Sequence, residues 1–161
     1  MTKSFLLWAA LLSGSAAYAG GFQVALQGQR QIGMGHTGTA LAYDASSVFF
    51  NPGSLTFTKA NNVMLGGSLI RSRVAYLAPS PSDYTAQTES PLGTPFMAYA
   101  SFGNTEGKLR FGIGAYTPYG SSVKWADDWK GSGVLQNLQL QSIFLQPTVS
   151  YKLTEKLGFG V

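Results

Sequence analysis

Residues 139–153 read QLQSIFLQPTVSYKL, and the order of apolar and polar residues in this stretch decides the fold. Ile143, Leu145, Pro147, Val149, Tyr151 and Leu153 share one parity; Ser142, Gln146, Thr148, Ser150 and Lys152 share the other, with Phe144 the exception. Successive side chains of a β-strand point to opposite faces, so the run is a strand with one apolar and one polar side. As a single strand of fifteen residues it exceeds the roughly five or six usual in globular proteins. A tilted strand crossing a bilayer uses about 9–11 residues and accommodates overhang.

The pattern repeats upstream. In 108–117, KLRFGIGAYT, the residues Leu109, Phe111, Ile113 and Ala115 oppose Lys108, Arg110, Gly112 and Gly114. The segment 96–103, FMAYASFG, meets this strand through 104–107, a short polar loop ending in glycine, and so forms a hairpin. A second tight turn at 154–156 precedes the apolar restart LGFGV. The other connections, 78–94 and 118–138, are long and rich in Pro, Ser and Gly. Short turns alternating with long loops are the asymmetry of an outer-membrane barrel, with the long loops outside. Residues 62–77 (NVMLGGSLIRSRVAYL) then read as the first strand, with a bulge at Gly66-Gly67. If Ile70, Val74 and Tyr76 face lipid, Arg71 and Arg73 point into the lumen. Tyr99, Tyr116, Tyr119 and Tyr151 fall near strand ends, where an aromatic girdle belongs.

Composition agrees. The 161 residues are 45% apolar, 13% aromatic and only 11% charged, with 20 glycines; soluble domains carry roughly 25% charge. No 18-residue apolar run exists for a spanning helix, so a closed β-barrel is the remaining way across a membrane. Lys3, the apolar run 5–12 and the box Ala17-Tyr18-Ala19 mark 1–19 as a secretory signal, with the mature chain beginning at Gly20. No cysteine is present, which excludes a disulfide-stapled scaffold. The net charge of +4 comes from scattered single bases, a poor match to nucleic acid.

Residues 20–61 do not alternate, and they contain GMGHTG at 33–38. A dinucleotide-binding turn with that spacing needs an apolar strand before it, a helix after it and an acid about 20 positions on. Here QGQRQI precedes it, Pro52 follows, and no acid lies near Phe57. Glycines that let backbone pass close to a wall explain the segment better, and its pattern fits either a plug ahead of the first strand or an ordinary N-terminal subdomain or exposed arm. Asn51-Pro52-Gly53 is a turn signal. His36 is a lone histidine and suits a hydrogen-bonded structural role rather than metal ligation. Asp127 and Asp128 sit beside Trp125 and Trp129 without an opposed carboxylate, and the serines have no base near them. No catalytic residue, cofactor or metal site is expected.

Four stretches together resemble the FadL-type outer-membrane transporters of long-chain fatty acids and other hydrophobic compounds. They are GGFQ at 20–23, GMGHTGTALAYDASSVFFNPGSLT at 33–56, KWADDWKGSG at 124–133 and LQPTVSYKLTEKLGFGV at 145–161. Gly53 stands where that family usually has alanine after Asn-Pro. The resemblance implies an antiparallel transmembrane β-barrel of roughly fourteen strands with an N-terminal hatch inside. The chain would hold the signal at 1–19, the hatch at 20–61 and about five strands in 62–161, as an N-terminal portion of the barrel.

It further implies uptake in a Gram-negative outer membrane, among lipid and lipopolysaccharide, by capture among the outer loops, binding in an interior pocket and release when the hatch shifts. Trp125 and Trp129 would serve capture and Phe22 the pocket. Arg71, Arg73 or Arg110 would meet a carboxylate head, and Gly33, Gly35, Gly38, Asn51, Pro52 and Gly53 would shape the hatch. Two other classes stay open on the residues alone: a structural or adhesive surface barrel, and a soluble periplasmic lipid-binding barrel.

Overall fold

The computed structural model describes residues 21–37, 39–41 and 44–161. The signal segment 1–19 and Gly38 lie outside them. The strands are β1 (Asn62–Gly67), β2 (Ala75–Leu77), β3 (Thr85–Gln87), β4 (Phe96–Phe102), β5 (Leu109–Tyr116), β6 (Gly120–Lys124), β7 (Asn137–Gln141), β8 (Phe144–Lys152) and β9 (Gly158–Gly160). Five of them form one antiparallel sheet in the order β1-β4-β5-β8-β9, while β2-β3 and β6-β7 are separate two-stranded ribbons. The sheet is open, with β1 and β9 at its edges.

The alternation read from the sequence is the alternation observed. Ile113 pairs with Pro147, Phe111 with Val149 and Leu109 with Tyr151, which lays the apolar parity of β5 and β8 on one face. That face is uncovered: Val63 is 76% and Leu145 74% exposed. Opposite it, Arg110 pairs with Ser150, Gly112 with Thr148 and Gly114 with Gln146, and Ser150 is wholly buried. The polar face is therefore the covered one, an inversion of the usual soluble arrangement.

Segment 21–61 provides the cover. It has a helical turn at Gln29–Gly33, a shorter one at Ser47–Phe50 and a 3₁₀ stretch at Pro52–Phe57. Proline at the start of the last suits it, because its missing N–H is not needed there. Ala45, Val48 and Leu55 from this segment make the small apolar core with Met97, Tyr99 and Tyr116 from β4 and β5.

Three readings of the strands need correction. Residues 62–77 are not one strand, since β1 stops at Gly67 and β2 belongs to a ribbon with β3. Pro91 and Pro95 in the facing chain have no N–H to give, so the ladder thins to Ser68 N–H on the Pro95 carbonyl and an exchange between Ile70 and Gly93. Residues 139–153 likewise break at Ser142 and Ile143, beside Pro118, which lies between β5 and β6. There the Ser142 hydroxyl reinforces a thinned ladder, accepting from the Tyr119 N–H and donating to its carbonyl, which also accepts from the Ser142 N–H at 3.3 Å. Third, 118–138 is not an unstructured loop, because its ends form the β6-β7 ribbon. Tyr99 and Tyr116 also leave the expected girdle: both are buried under segment 21–61, while Tyr119 and Tyr151 are exposed.

Candidate functional site

The short turns 103–108 and 153–157 lie at one end of the sheet, and both ribbons extend from the other. At the ribbon end the N-terminal residues run like a further strand beside the break in β5-β6. Val24 N–H donates to the Pro118 carbonyl at 2.8 Å and Gly120 N–H to the Phe22 carbonyl at 3.1 Å. Between this edge, residues 91–95 and the β6-β7 ribbon lies a cavity of about 560 Å³, within the usual range for small-molecule sites. Val24, Leu26, Ile70 and Leu92 supply apolar wall; Gln23, Gln139 and Gln141 supply carboxamides. Phe22 is half-exposed at its margin, fixed through its carbonyl.

Beneath the cavity the segment is tied to the wall by side chains from both. Tyr99 donates its hydroxyl to Gln27 Oε1 at 2.7 Å, and Gln27 Nε2 donates to the Thr117 carbonyl at 3.0 Å. Tyr116 donates to Gln146 Oε1 at 2.7 Å, and Gln146 Nε2 donates to the Val48 carbonyl at 2.8 Å. Ser150 donates to the Pro52 carbonyl at 2.5 Å. Such bonds each contribute on the order of 1 kcal/mol and cost more when half of a pair is removed.

Glycines decide how close the two layers come. A Cβ on Gly112 would meet Val48 Cγ2 at 2.5 Å, and one on Gly114 would meet Val48 Cγ1 at 3.3 Å as well as Tyr99 of the neighbouring strand. A Cβ on Gly53 would lie 2.7 Å from the Gly158 carbonyl, and one on Gly160 2.5 Å from the Pro52 carbonyl carbon. Gly33 and Gly35, in contrast, have open space where a Cβ would sit, so they do not serve close approach. Gly35 has φ +61 and His36 φ 60, a left-handed pair that turns the chain back after the helical turn. His36 Nε2 lies 2.8 Å from the Ala25 carbonyl. The glycine run therefore follows a helical turn and leads into turns, the reverse of the strand, turn and helix of a pyrophosphate site. Asn51 Nδ2 donates to the Thr39 carbonyl at 3.4 Å and its own carbonyl accepts from Ser54.

The arginines separate. Arg71 and Arg73 are exposed and line a smaller cleft of about 370 Å³ with Gln87 and Glu89. Arg110 is wholly buried at the short-turn end, donating to the Ala60 carbonyl at 2.7 Å and the Gly103 carbonyl at 3.4 Å, with Nε unpartnered. No acid faces it in the described structure. The tryptophans come together: Trp125 and Trp129 stack at 4.2 Å, and Tyr76 of β2 packs edge-on against Trp129 at 5.3 Å. Trp125 is only 6% exposed. Thr88 bridges to Trp125, Glu89 N–H donates to the Lys124 carbonyl at 2.7 Å, and Lys130 lies over the Tyr84 ring. The two ribbons are thus clasped to each other. Neither this clasp nor Gln27 stood out from the sequence, because each depends on partners more than 30 residues away.

Among the described residues no group of acids, histidines or cysteines could hold a metal ion, and no helix is long and apolar enough to cross a membrane.

The chain matches, over residues 10–161, the family described as "Outer membrane protein transport protein (OMPP1/FadL/TodX)". It is 25% identical over 162 residues to the long-chain fatty acid transport proteins of Salmonella typhi and Escherichia coli strain K12, covering 99% of this chain and 37% and 36% of theirs. A putative outer membrane protein of Neisseria meningitidis serogroup B is 24% identical over 135 residues, 80% of this chain and 29% of that one. The crystal structure of a Pseudomonas aeruginosa FadL homologue superimposes with TM-score 0.65 at 18% identity, over 88% of this chain and 36% of that chain. The chain therefore spans about a third of the length of these relatives.

Proposed function

The chain belongs to the outer membrane protein transport family, and on that premise we propose that it forms part of a barrel that takes up hydrophobic compounds across the outer membrane. The observation that carries this reading is the inverted sheet, whose bare face is apolar and whose covered face is polar. A bare apolar face suits hydrocarbon, and the pattern does not suit a soluble lipid-binding barrel, whose outside must meet water.

In this proposal β1, β4, β5, β8 and β9 are wall, segment 20–61 is the plug, and the ribbons stand outside. A compound meets the clasped ribbons, where Trp125 and Trp129 contribute apolar surface. It passes to the cavity beside Phe22 and leaves when the plug moves about Asn51-Pro52-Gly53. Long-chain acids and other apolar compounds fit because each buried CH₂ is worth about 0.8 kcal/mol, which gives affinity without chemistry. No catalytic step is needed. Lipopolysaccharide and outer-membrane lipid are the surroundings of the wall.

The test is uptake of labelled oleate and of an uncharged aromatic compound by cells that lack their own transporter, with and without this protein. Faster entry of at least one compound supports the proposal; equal entry of both overturns it.

A further inference from the structure

We propose that Arg110 is a release spring beneath the plug: a positive charge kept dry and short of partners while the segment is seated, and returned to water when it lifts. The inference rests on the uptake reading above and names the group that lets the plug move.

Its first support is topological. β1 is held to β4 from Asn62 onward, and Pro52–Phe57 packs on β8 and β9. Any displacement of the segment against the wall must therefore bend the strap 58–61 that joins them. Two side chains stitch that strap to the short turn. Arg110 donates to the Ala60 and Gly103 carbonyls, and Asn61 Oδ1 accepts from the Gly103 N–H at 3.1 Å. Lys59, Ala60 and Asn61 are exposed, so water lies on the far side of the strap.

The second support is the state of the guanidinium. It is wholly buried, and this chain alone closes its surface, so further strands of a barrel cannot touch it. Each terminal nitrogen makes one bond, at 2.7 Å and at a long 3.4 Å, and Nε makes none, which leaves donors over on every nitrogen. None of the chain's seven acids, all within the described residues, pairs with it. A charge out of water, with carbonyls for only part of its donors and no counter-ion, destabilises the seated state. An apolar side chain of similar length in its place removes that penalty. Ala60 loses little by the exchange, because its carbonyl also accepts from Asn62 Nδ2 at 2.9 Å. Water regained on lifting is thus worth more to Arg110 than the two bonds it gives up.

The experiment places a nitroxide on Lys59→Cys, since the chain has no cysteine, and reads strap mobility in lipid nanodiscs with Arg110 unaltered, with Arg110→Met and with Arg110→Lys. Arg110→Met should restrict the label, raise the urea midpoint of refolding and slow oleate uptake by about fivefold or more. Arg110→Lys keeps a charge in the same place and should leave the strap at least as mobile as arginine does. A fixed clamp gives the reverse sign. A looser strap, a lower midpoint or loss of folding in Arg110→Met therefore overturns the inference, as does a spectrum or an uptake rate that does not change. Absence of uptake by the unaltered protein overturns the uptake reading, while the spectra still decide whether the charge opens the strap.

Discussion

At the scale of single residues, the covered face of the sheet depends on what is missing. Gly112 and Gly114 belong to the polar parity of β5, and that parity was legible because a period of two needs only neighbouring residues. Their purpose was not, since it is set by Val48 and Leu55, which arrive from a distant part of the chain. Gly112→Val should therefore drive a methyl group into Val48 and Leu55 and cost about 1–3 kcal/mol, seen as a lower urea midpoint with unchanged slope. Gly33→Ala, with open space at its Cβ, should be neutral or stabilising by less than about 1 kcal/mol in the same measurement. Equal losses from both would mean that segment 21–61 does not lie on this face. Tyr99→Phe should leave Gln27 Oε1 without its donor and cost about 1–3 kcal/mol.

At the scale of elements, prolines and tryptophans divide the work. Pro91, Pro95 and Pro118 were visible in the sequence, yet the runs they interrupt still read as continuous strands or bare loops. Apolar alternation outlasts the hydrogen-bonded ladder, and a missing N–H shows only when the facing chain is known. The Trp125-x-x-x-Trp129 spacing was equally plain, but its stacking and its contact with Tyr76 required two ribbons to be brought together. Trp125→Ala should remove the stacking on Trp129 at a cost of about 3–4 kcal/mol to the clasp. The measurement is proteinase K cleavage within 118–143 on intact cells, expected to rise several-fold in the variant. Unchanged cleavage would show that the ribbons hold together without the indole.

For the whole molecule, fold class was the most legible property, because low charge, long alternation and asymmetric connections all bear on the same architecture. The cavity was the least legible. Residues 23–26, 91–95 and 139–141 border it, and no local pattern links them. A bare-face site on β8 and a cavity-side site on β7 give the sharpest test of the architecture. Leu145→Lys, on the bare face, should lower folded yield in the outer membrane and cost about 2–4 kcal/mol in a bilayer refolding assay. Gln139→Lys, on the cavity side, should leave yield and refolding near those of the unaltered chain. A reversed result would mean that the bare face is not the one that meets lipid.

Where Gly53 meets Gly158 and Gly160, main chain lies directly on main chain, with Thr56 and Phe57 of the 3₁₀ stretch closing over Gly158. In mechanical terms the joint is a close-fitting plain bearing. It opposes lifting, through close contact and the Ser150 and Gln146 hydrogen bonds, far more than it opposes shear. A pull on the N-terminus directed along β9 should therefore slide the segment at lower force than a pull directed away from the sheet, a difference that optical tweezers can read as two distinct rupture distributions.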